Sequence, residues 1–231
     1  MEIGALVLQD VLPYLKYPDD KSVGLRWEKE IAMCISSCCQ IAKPRFVYRM
    51  WGCVHKEDGV LLKGSSVMLR GLSLQQHIKK AHKTALFAVT LGIEVDRHIQ
   101  TLEASAMSTA ILFDACASAY VEKVCDALED EIGRVAKRES AFIIPRYSPG
   151  YGDFSVAQQS DILHLLDANR KIGLTATNEH VLIPRKSVTA VVGLSFTPSL
   201  GHANIPCDSC AKKENCHVRK EGKSCGSFHL Q

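Results

Sequence analysis

AFIIPRYSPGYGDFSVAQQ, residues 141–159, is the stretch in which the chain changes from strand to helix. Its apolar start, AFIIP, predicts a short strand. Ser155 and Gln158 have the spacing of a capping box, so a helix is predicted to begin there and to run to about Asn169. Gly173 is predicted to end the connection that follows. Everything between the strand and the helix belongs to one short loop.

The loop, residues 145–154, has an unusual composition for a simple turn. It holds two prolines, two glycines, two tyrosines and one arginine. The prolines restrict the backbone, whereas the glycines let a ligand approach the main chain. Arg146 offers a planar guanidinium suited to a carboxylate or phosphate, and the tyrosines offer flat faces and hydroxyl groups. These residues fit either a groove for a zwitterionic or anionic small ligand or a rigid connector with Arg146 bonded to backbone carbonyls.

Further helices are predicted from apolar periodicity and capping residues. Ser73 and Gln76 have capping-box spacing for a helix over 74–83. The longest helix is predicted from about 105 to 138, with a core-facing stripe that recurs every four residues. The stripe consists of Tyr120, Val124, Leu128 and Ile132. Two other predicted helices cover 11–17, ended by Pro18, and 25–42, stopped before Pro44.

Strand patterns lie between these helices. Residues 45–54 and 60–64 predict a β-hairpin with Asp58 and Gly59 at its turn. The apolar ALFAVTLG that ends at Gly92 predicts a buried strand.

Two more strands are predicted near the end of the chain, over 180–184 and 187–196. One face of the second is predicted to carry Val188, Ala190, Val192, Leu194 and Phe196. Because the elements do not form a clean βαβ repeat, we expect an α+β fold in which helices cover a twisted, mainly antiparallel sheet.

The composition is that of a globular chain with a sizeable core. Of its 231 residues 46% are hydrophobic, and 28 Lys and Arg against 25 Asp and Glu give a net charge of +3. This near balance predicts neither nucleic acid nor a membrane surface as a partner. The sequence has no apolar run of the roughly 18–20 residues that a membrane span needs. Its first residues also lack the basic start and cleavage site of a signal peptide.

The ten cysteines are unevenly distributed along the chain. Without a secretion signal they indicate a reducing cytoplasm, with thiols rather than disulfides. The first six are interpreted as buried small hydrophobic side chains. These are Cys34, Cys38, Cys39, Cys53, Cys116 and Cys125.

The last four cysteines form a separate cluster within residues 201–231, which we interpret as a cysteine-rich tail. Cys207, Cys210, Cys216 and Cys225 have the spacing C-x2-C-x5-C-x8-C. Four thiolates can hold structural zinc or an iron–sulfur cluster. The alternative is four free thiols on a basic tail.

The loop and its neighbours together resemble a known family. RYSPGYGDFSVAQQSDIL (146–163), followed by IGLTATNEHVLIPRKSVTAVVGLSF (172–196), is similar to the activation domain of cobalamin-dependent methionine synthase. DACASAYVEKVCDALEDEI (114–132) resembles the long helix of that domain, and VTLGIEVDRHI (89–99) resembles the stand-alone bacterial members. The resemblance spans about Val7 to Phe196.

The resemblance implies an activation-domain-like α+β domain over 1–200 that binds S-adenosylmethionine. In that family, cobalamin is occasionally oxidised to inactive cob(II)alamin. Reactivation takes one electron from a redox protein, here expected to be a flavodoxin or a ferredoxin, and a methyl group from S-adenosylmethionine. The domain acts mainly by positioning the methyl donor against the corrin.

The ligand motif of the family, R-x-x-P-G-Y, matches Arg146, Pro149, Gly150 and Tyr151. The resemblance implies that Arg146 holds the methionyl carboxylate, while Pro149 and Gly150 set the shape of the loop. It also implies that Ser148 and Tyr151 supply main-chain contacts to the donor.

Three features depart from the family pattern or limit it. The family has an acid before the motif, and Glu139, the nearest candidate, is one residue out of register. The L-T-E-S of the family corresponds to 176–179 here, where the acid has moved or been replaced. The sequence also has no D-x-H-x-x-G cobalamin motif. Cobalamin is therefore expected on a partner, either a methionine synthase without its own activation domain or another corrinoid protein.

Three functions follow from this reading of the sequence. The first is a stand-alone reactivation subunit that presents the methyl group of S-adenosylmethionine for reductive remethylation of cob(II)alamin. The second is a metal-binding adaptor, or a reductive activator of another corrinoid protein, in which the tail contacts the partner and the Arg146 loop is structural. The third is a diverged relative that binds another nucleoside or amino acid.

Overall fold

The computed structural model describes residues 1–15 and 25–198, and these form a mixed fold of helices and antiparallel strands. The strands are β1 Arg45–Lys56, β2 Gly59–Leu62, β3 Met68–Leu69, β4 Lys83–Thr90, β5 Phe142–Tyr147, β6 Thr175–Ala176, β7 Leu182–Ile183 and β8 Ser187–Ser195. The helices are α1 Leu8–Val11, α2 Leu25–Ile41, α3 Leu72–His77, α4 Ile93–Ser105, α5 Met107–Arg138, α6 Gln159–Leu166 and α7 Ala168–Ile172. Two 3-10 turns cover Leu12–Leu15 and Val156–Gln158.

Six strands form one sheet in the order β3-β2-β1-β4-β8-β5, and β6 pairs with β7 separately. The β1/β2, β2/β3 and β5/β8 pairs are antiparallel. In the middle of the sheet, the amide of His82 donates to the Leu194 carbonyl and that of Leu91 to the Lys186 carbonyl. Residue numbers that increase along β4 therefore face numbers that decrease along β8, which is the antiparallel arrangement. The predicted α+β class with a mainly antiparallel sheet is confirmed.

The long helices agree with the sequence patterns. Helix α2 covers the predicted segment and ends at Ile41, before Pro44. Helix α5 runs from Met107 to Arg138, and Val124, Leu128 and Ile132 of its predicted stripe are fully buried. Helix α4, which precedes it, was not predicted. The predicted end of the first helix, at Tyr17 and Pro18, lies outside the described residues.

Several predicted boundaries were wrong. Helix α3 begins at Leu72 and ends at His77, so Ser73 lies inside it and does not cap it. In the hairpin, Lys56 pairs with Gly59, so the turn is formed by residues 57–58 rather than by Asp58 and Gly59.

On the predicted face of β8, Ala190, Val192 and Leu194 are buried, whereas Val188 is half-buried. Residues 189–195 are all buried, on both faces of the strand, whereas Phe196 is exposed. Consecutive strand residues point to opposite faces, so burial of the whole run shows that the protein covers both faces of β8 there.

The described chain divides into two compact units. The first comprises residues 1–48 and 162–189 together with 87–131, excluding the undescribed 16–24, and its buried side chains include Ile31, Phe113 and Ile162. The second comprises 49–86, 132–161 and 190–198 and buries Leu62, Leu69, Leu74, Ile78 and Phe154. No helix among the described residues is both long and apolar enough to cross a membrane.

Candidate functional site

The candidate loop begins at an irregularity in the sheet. Ile144 pairs with Gly193 and Tyr147 with Val191, so the register of β5 against β8 shifts by one residue between them. Pro145 lies in this gap, and it has no amide hydrogen to give to the ladder. Its carbonyl instead accepts a hydrogen bond from Nε2 of His77 at 2.7 Å. The shift re-aims the next residue, Arg146, as bulges commonly do beside functional sites.

Hydrogen bonds within the loop close it tightly. The amide of Gly150 donates to the Phe154 carbonyl at 2.7 Å, and the Phe154 amide donates to the Tyr151 carbonyl at 2.9 Å. The Tyr151 amide donates to the Ser148 carbonyl at 3.2 Å. Gly150 and Gly152 have φ values of 98° and 53°, in the region that favours glycine. The two glycines are therefore required by the backbone of the loop itself.

Aromatic rings line the inner side of the loop. The ring of Tyr147 lies 5.0 Å from that of His77, 6.3 Å from Phe154 and 5.7 Å from Tyr151, with the last pair edge to face. Phe154 is buried, whereas Tyr151 is 43% exposed. Tyr151 is thus an accessible ring whose edge is supported by a ring beneath it.

Asp153 ties the loop to helix α3. Its carboxylate accepts the amide hydrogens of Leu72 at 2.7 Å and Ser73 at 2.8 Å, the first two residues of the helix. The N-cap residue, Gly71, has no side chain to do this, so Asp153 caps the helix from 80 residues away. Partial burial raises the pKa of Asp153, but hydrogen bonds from Ser73 and Leu72 outweigh it and hold that pKa below its ordinary value.

The backbones of the loop and α3 approach closely at two glycines. A Cβ on Gly152 would lie 2.5 Å from Oγ and 2.8 Å from Cβ of Ser73. A Cβ on Gly71, whose φ is 136°, would lie 3.1 Å from Cα of Phe154. Neither position has room for a larger residue without a shift of the neighbouring segment.

The chain that leaves the loop is fixed to the same region. Ser155 caps the 3-10 turn by accepting the Ala157 amide hydrogen at 3.2 Å. The predicted partner, Gln158, is buried, and its amide pairs with both backbone groups of Arg70, each at 2.7 Å. The predicted cap at Ser155 is therefore confirmed, while Gln158 bonds a distant strand end instead of completing a capping box.

The structure brings five of the six predicted ligand residues together. Arg146 is half-buried near the end of β5, Ser148, Pro149 and Gly150 are half-buried on the loop that follows, and Tyr151 is exposed beside them.

Glu139 lies elsewhere. Its carboxylate forms an ion pair with Nζ of Lys83 at 2.5 Å. It precedes β5, whereas Arg146 lies near the other end of that strand. Six strand residues span about 20 Å.

The loop can bind a ligand chiefly through a cation and through carbonyl oxygens. The amides of Gly150, Tyr151 and Phe154 are already used inside the loop. The carbonyls of Ser148 and Tyr151 each accept one of these bonds, and a carbonyl oxygen has two lone pairs. A group that combines a carboxylate, for Arg146, with ammonium or amino donors, for the carbonyls, matches this set.

The segment that departs from the family pattern forms a turn of its own. The Thr177 amide donates to the Val181 carbonyl at 2.9 Å, and the Val181 amide donates to Oγ1 of Thr177 at 3.2 Å. Glu179 is exposed, and hydrogen bonds from its own amide and from Thr177 lower its pKa.

The described cysteines are thiols, and most are buried as predicted. Burial raises the pKa of Cys38 and of Cys116 to about 12, so both remain protonated and act as apolar side chains. The prediction was wrong for Cys39, which is exposed.

No group of three or more histidine, cysteine or acidic side chains within residues 1–15 and 25–198 is arranged to hold a metal ion. The predicted metal ligands Cys207, Cys210, Cys216 and Cys225 lie outside the described residues.

Sequence reasoning missed the residues that support the loop. His77, Asp153 and Gln158 act through contacts with segments 68 to 88 residues away. Asp153 stands inside the quoted stretch, but an aspartate in a turn is too common to signal a distant helix cap.

Comparisons with known proteins agree with this architecture. A family model described as vitamin B12 dependent methionine synthase, activation domain, matches residues 63–198, more than half of the chain. The chain is also similar to a crystal structure of the MetH reactivation domain bound to AdoHcy, with a TM-score of 0.61 and 17% sequence identity. That match covers 96% of this chain and 83% of the other, and at this identity it shows a shared fold. A comparison with curated proteins gave no match.

Proposed function

The chain belongs to the family of vitamin B12-dependent methionine synthase activation domains, and we propose that it binds S-adenosylmethionine on the Arg146 loop. We propose further that it acts as a stand-alone reactivation subunit, presenting the methyl group to cobalamin held by a partner methionine synthase. One observation carries the proposal. The matched family segment contains R-x-x-P-G-Y, and this motif lies at the end of β5 and on the loop that follows, which is closed by its own hydrogen bonds.

The roles of the loop residues follow from their geometry. The guanidinium of Arg146 is suited to the carboxylate of the methionyl part. The carbonyls of Ser148 and Tyr151 are suited to the ammonium group and the adenine amino group, because the amides of Gly150, Tyr151 and Phe154 are used within the loop. Pro149 and Gly150 fix the turn between them, and the exposed ring of Tyr151 forms one wall.

S-adenosylmethionine supplies a methyl group on a positively charged sulfur, which is already a good leaving group. This chain's residues are therefore asked to bind and orient the donor rather than to transfer a proton. In the solved relative, the bound molecule is AdoHcy, the product that remains when the methyl group has left. We expect this chain to bind both molecules at the same loop.

Calorimetric titration tests the binding step directly. We expect saturable binding of S-adenosylmethionine and S-adenosylhomocysteine to the wild-type protein. Arg146→Ala removes a charged hydrogen-bonding partner, so we expect affinity to fall about tenfold to hundredfold. Arg146→Lys keeps the charge but loses the planar fork, and we expect an intermediate loss.

Arg138→Ala is the matched control. It removes the same charge from an exposed position at the end of α5, outside the loop. Wild-type protein that binds neither ligand, or an equal loss in both alanine variants, would contradict the proposed site.

The proposed reactivation is tested by adding the protein to a cobalamin-dependent methionine synthase trapped as cob(II)alamin. A flavodoxin or ferredoxin supplies the electron, and the return of methylcobalamin is followed by absorbance. We expect the return to require both S-adenosylmethionine and Arg146. A return that proceeds without the chain contradicts the proposal.

The C-terminal cysteines are a second, independent proposal. Their spacing supports zinc or an iron–sulfur cluster, and either could serve an adaptor that binds a corrinoid partner through the tail. Metal analysis of the full chain and of Cys207→Ser tests this, with ultraviolet–visible absorption to identify a cluster. Partner capture with and without residues 206–231 then separates the adaptor from the donor-binding function.

A further inference from the structure

We propose that helix α3 is a brace that sets the Ser148–Phe154 loop in its ligand-binding shape before any ligand arrives, with Asp153 and His77 as positioning residues. The identity of the ligand rests on the proposed function, whereas the claim that α3 fixes the loop is independent of it.

The first contact is at the start of the helix. Asp153 holds the amides of Leu72 and Ser73 with two hydrogen bonds of 2.7 and 2.8 Å. Gly152 is packed so closely that a Cβ there would meet the side chain of Ser73 at 2.5 Å. The loop therefore contacts the helix through the carboxylate of Asp153 and through close packing of the Gly152 backbone against the Ser73 side chain.

The second contact is at the end of the helix. His77 is buried, and its Nε2 donates to the carbonyl of Pro145 at 2.7 Å. Pro145 stands directly before Arg146, at the shift in the strand register. The ring of His77 also lies 5.0 Å from Tyr147, whose ring supports Tyr151. His77 thus contacts both Pro145, which precedes Arg146, and Tyr147, which packs against the exposed Tyr151.

Helix α3 is only six residues long, and a helix of this length is not stable by itself. Its order comes from its neighbours: Asp153 of the loop binds the start of the helix, and Pro145, in β5 shortly before the loop, accepts a hydrogen bond from its end. Helix and loop therefore hold each other in one arrangement. A loop that is already ordered in the free protein loses little conformational entropy when a ligand binds, so preorganisation raises its affinity for the ligand.

The test compares two identical substitutions in the same unit. Asp153→Asn replaces one of the two carboxylate oxygens that accept the Leu72 and Ser73 amide hydrogens with an amide NH2 group. Asp58→Asn makes the same change at an exposed carboxylate that pairs with the Arg70 side chain at 2.6 Å. Both remove one negative charge, but only Asp153 contacts the loop and α3. His77→Phe is the second test, since it keeps a ring and loses the bond to Pro145.

Hydrogen exchange of the free protein is the first measurement. We expect the amides of Gly150 and Phe154 to exchange at least about tenfold faster in Asp153→Asn than in the wild type, with β4 unchanged. Asp58→Asn should leave both regions as they are. If the loop amides of Asp153→Asn keep wild-type exchange, or if β4 accelerates equally, the brace is wrong.

Calorimetry with S-adenosylhomocysteine is the second measurement. We expect Asp153→Asn and His77→Phe to weaken binding about tenfold, with a less favourable entropy, while Asp58→Asn binds like the wild type. Wild-type affinity in both Asp153→Asn and His77→Phe overturns the positioning role and leaves the proposed function intact. Absence of binding to the wild type overturns the proposed function instead, and the exchange measurement still decides the brace.

Discussion

Two turns of this protein share features of backbone and charge but are held in different ways. The Ser148–Phe154 loop and the 177–181 turn each contain positive φ, at Gly150 and Gly152 in the loop and at His180 in the turn, and one acid with a lowered pKa. In the 177–181 turn, Thr177, His180 and Val181 form hydrogen bonds with one another. The Ser148–Phe154 loop has internal bonds too, but Asp153 bonds a helix 80 residues away.

The difference teaches where a turn obtains its shape. A turn closed by its neighbours in sequence keeps its shape through local bonds, and a change there remains local. A loop clasped by a distant helix depends on the packing of the whole unit, so changes in either segment affect both.

The largest expected effect is that of Gly152→Ala. The new Cβ would meet Ser73 and Tyr147 at distances that real Cβ atoms do not show, and φ is 53°. We expect a loss of about 2–3 kcal/mol in the free energy of unfolding by urea, from overpacking added to backbone strain. Gly64→Ala is the control. Its φ is 78° but nothing lies within 4 Å, so only the backbone cost of about 1 kcal/mol is expected. Equal losses in the two variants would show that the loop is not packed against α3.

Removing Asp153 from the loop and Glu179 from the 177–181 turn compares the contribution of each acid to stability more directly. Asp153→Ala leaves the first amides of α3 without their cap, and we expect to lose about 1 kcal/mol of stability, as in other cap deletions. Glu179→Ala removes an exposed carboxylate with local partners, so no measurable change is expected. Urea unfolding of both variants checks this. A larger loss at Glu179 than at Asp153 reverses the comparison.

The smallest expected effect is a dependence on pH. The folded-state pKa of Asp153 lies below its ordinary value of 3.8, so its contribution to stability is complete above that pH. It is lost as the pH falls through the folded-state pKa. The stability difference between wild type and Asp153→Asn should therefore shrink as the pH is lowered below about 4. Urea midpoints of both proteins at successive pH values measure this difference. A difference that stays constant contradicts the claim that the ionised carboxylate of Asp153 stabilises the start of α3.

Much of the fold could be predicted because its signals are local. Helices α2 and α5 carry long apolar periodicities, and the hairpin and the end of β4 are marked by turn residues. The misassigned boundaries have tertiary causes. Helix α3 begins at Leu72 because Asp153 caps it from a distant loop, not because of Ser73. β8 is buried on both faces because other parts of the chain cover both faces there, and its own sequence pattern does not record which segments these are.

The candidate site divides in the same way. The R-x-x-P-G-Y motif and its family could be recognised from the order of residues, since a loop that needs proline, two glycines and an arginine leaves a signature in the chain. The supporting residues left none. In sequence His77 looks like an ordinary helix residue and Gln158 like one half of a capping box, yet both are buried and bonded to backbone groups of other segments.

The sequence by itself determined the α+β class, the family and the loop that carries the candidate ligand residues, because each depends on periodicity or on a contiguous motif. Only the tertiary structure decided how that loop is held. The clasp of Asp153 on α3, the bond of His77 to Pro145 and the closed backbone at Gly152 join segments far apart in the chain. Such contacts depend on which elements become neighbours when the sheet assembles, and no local pattern records that choice.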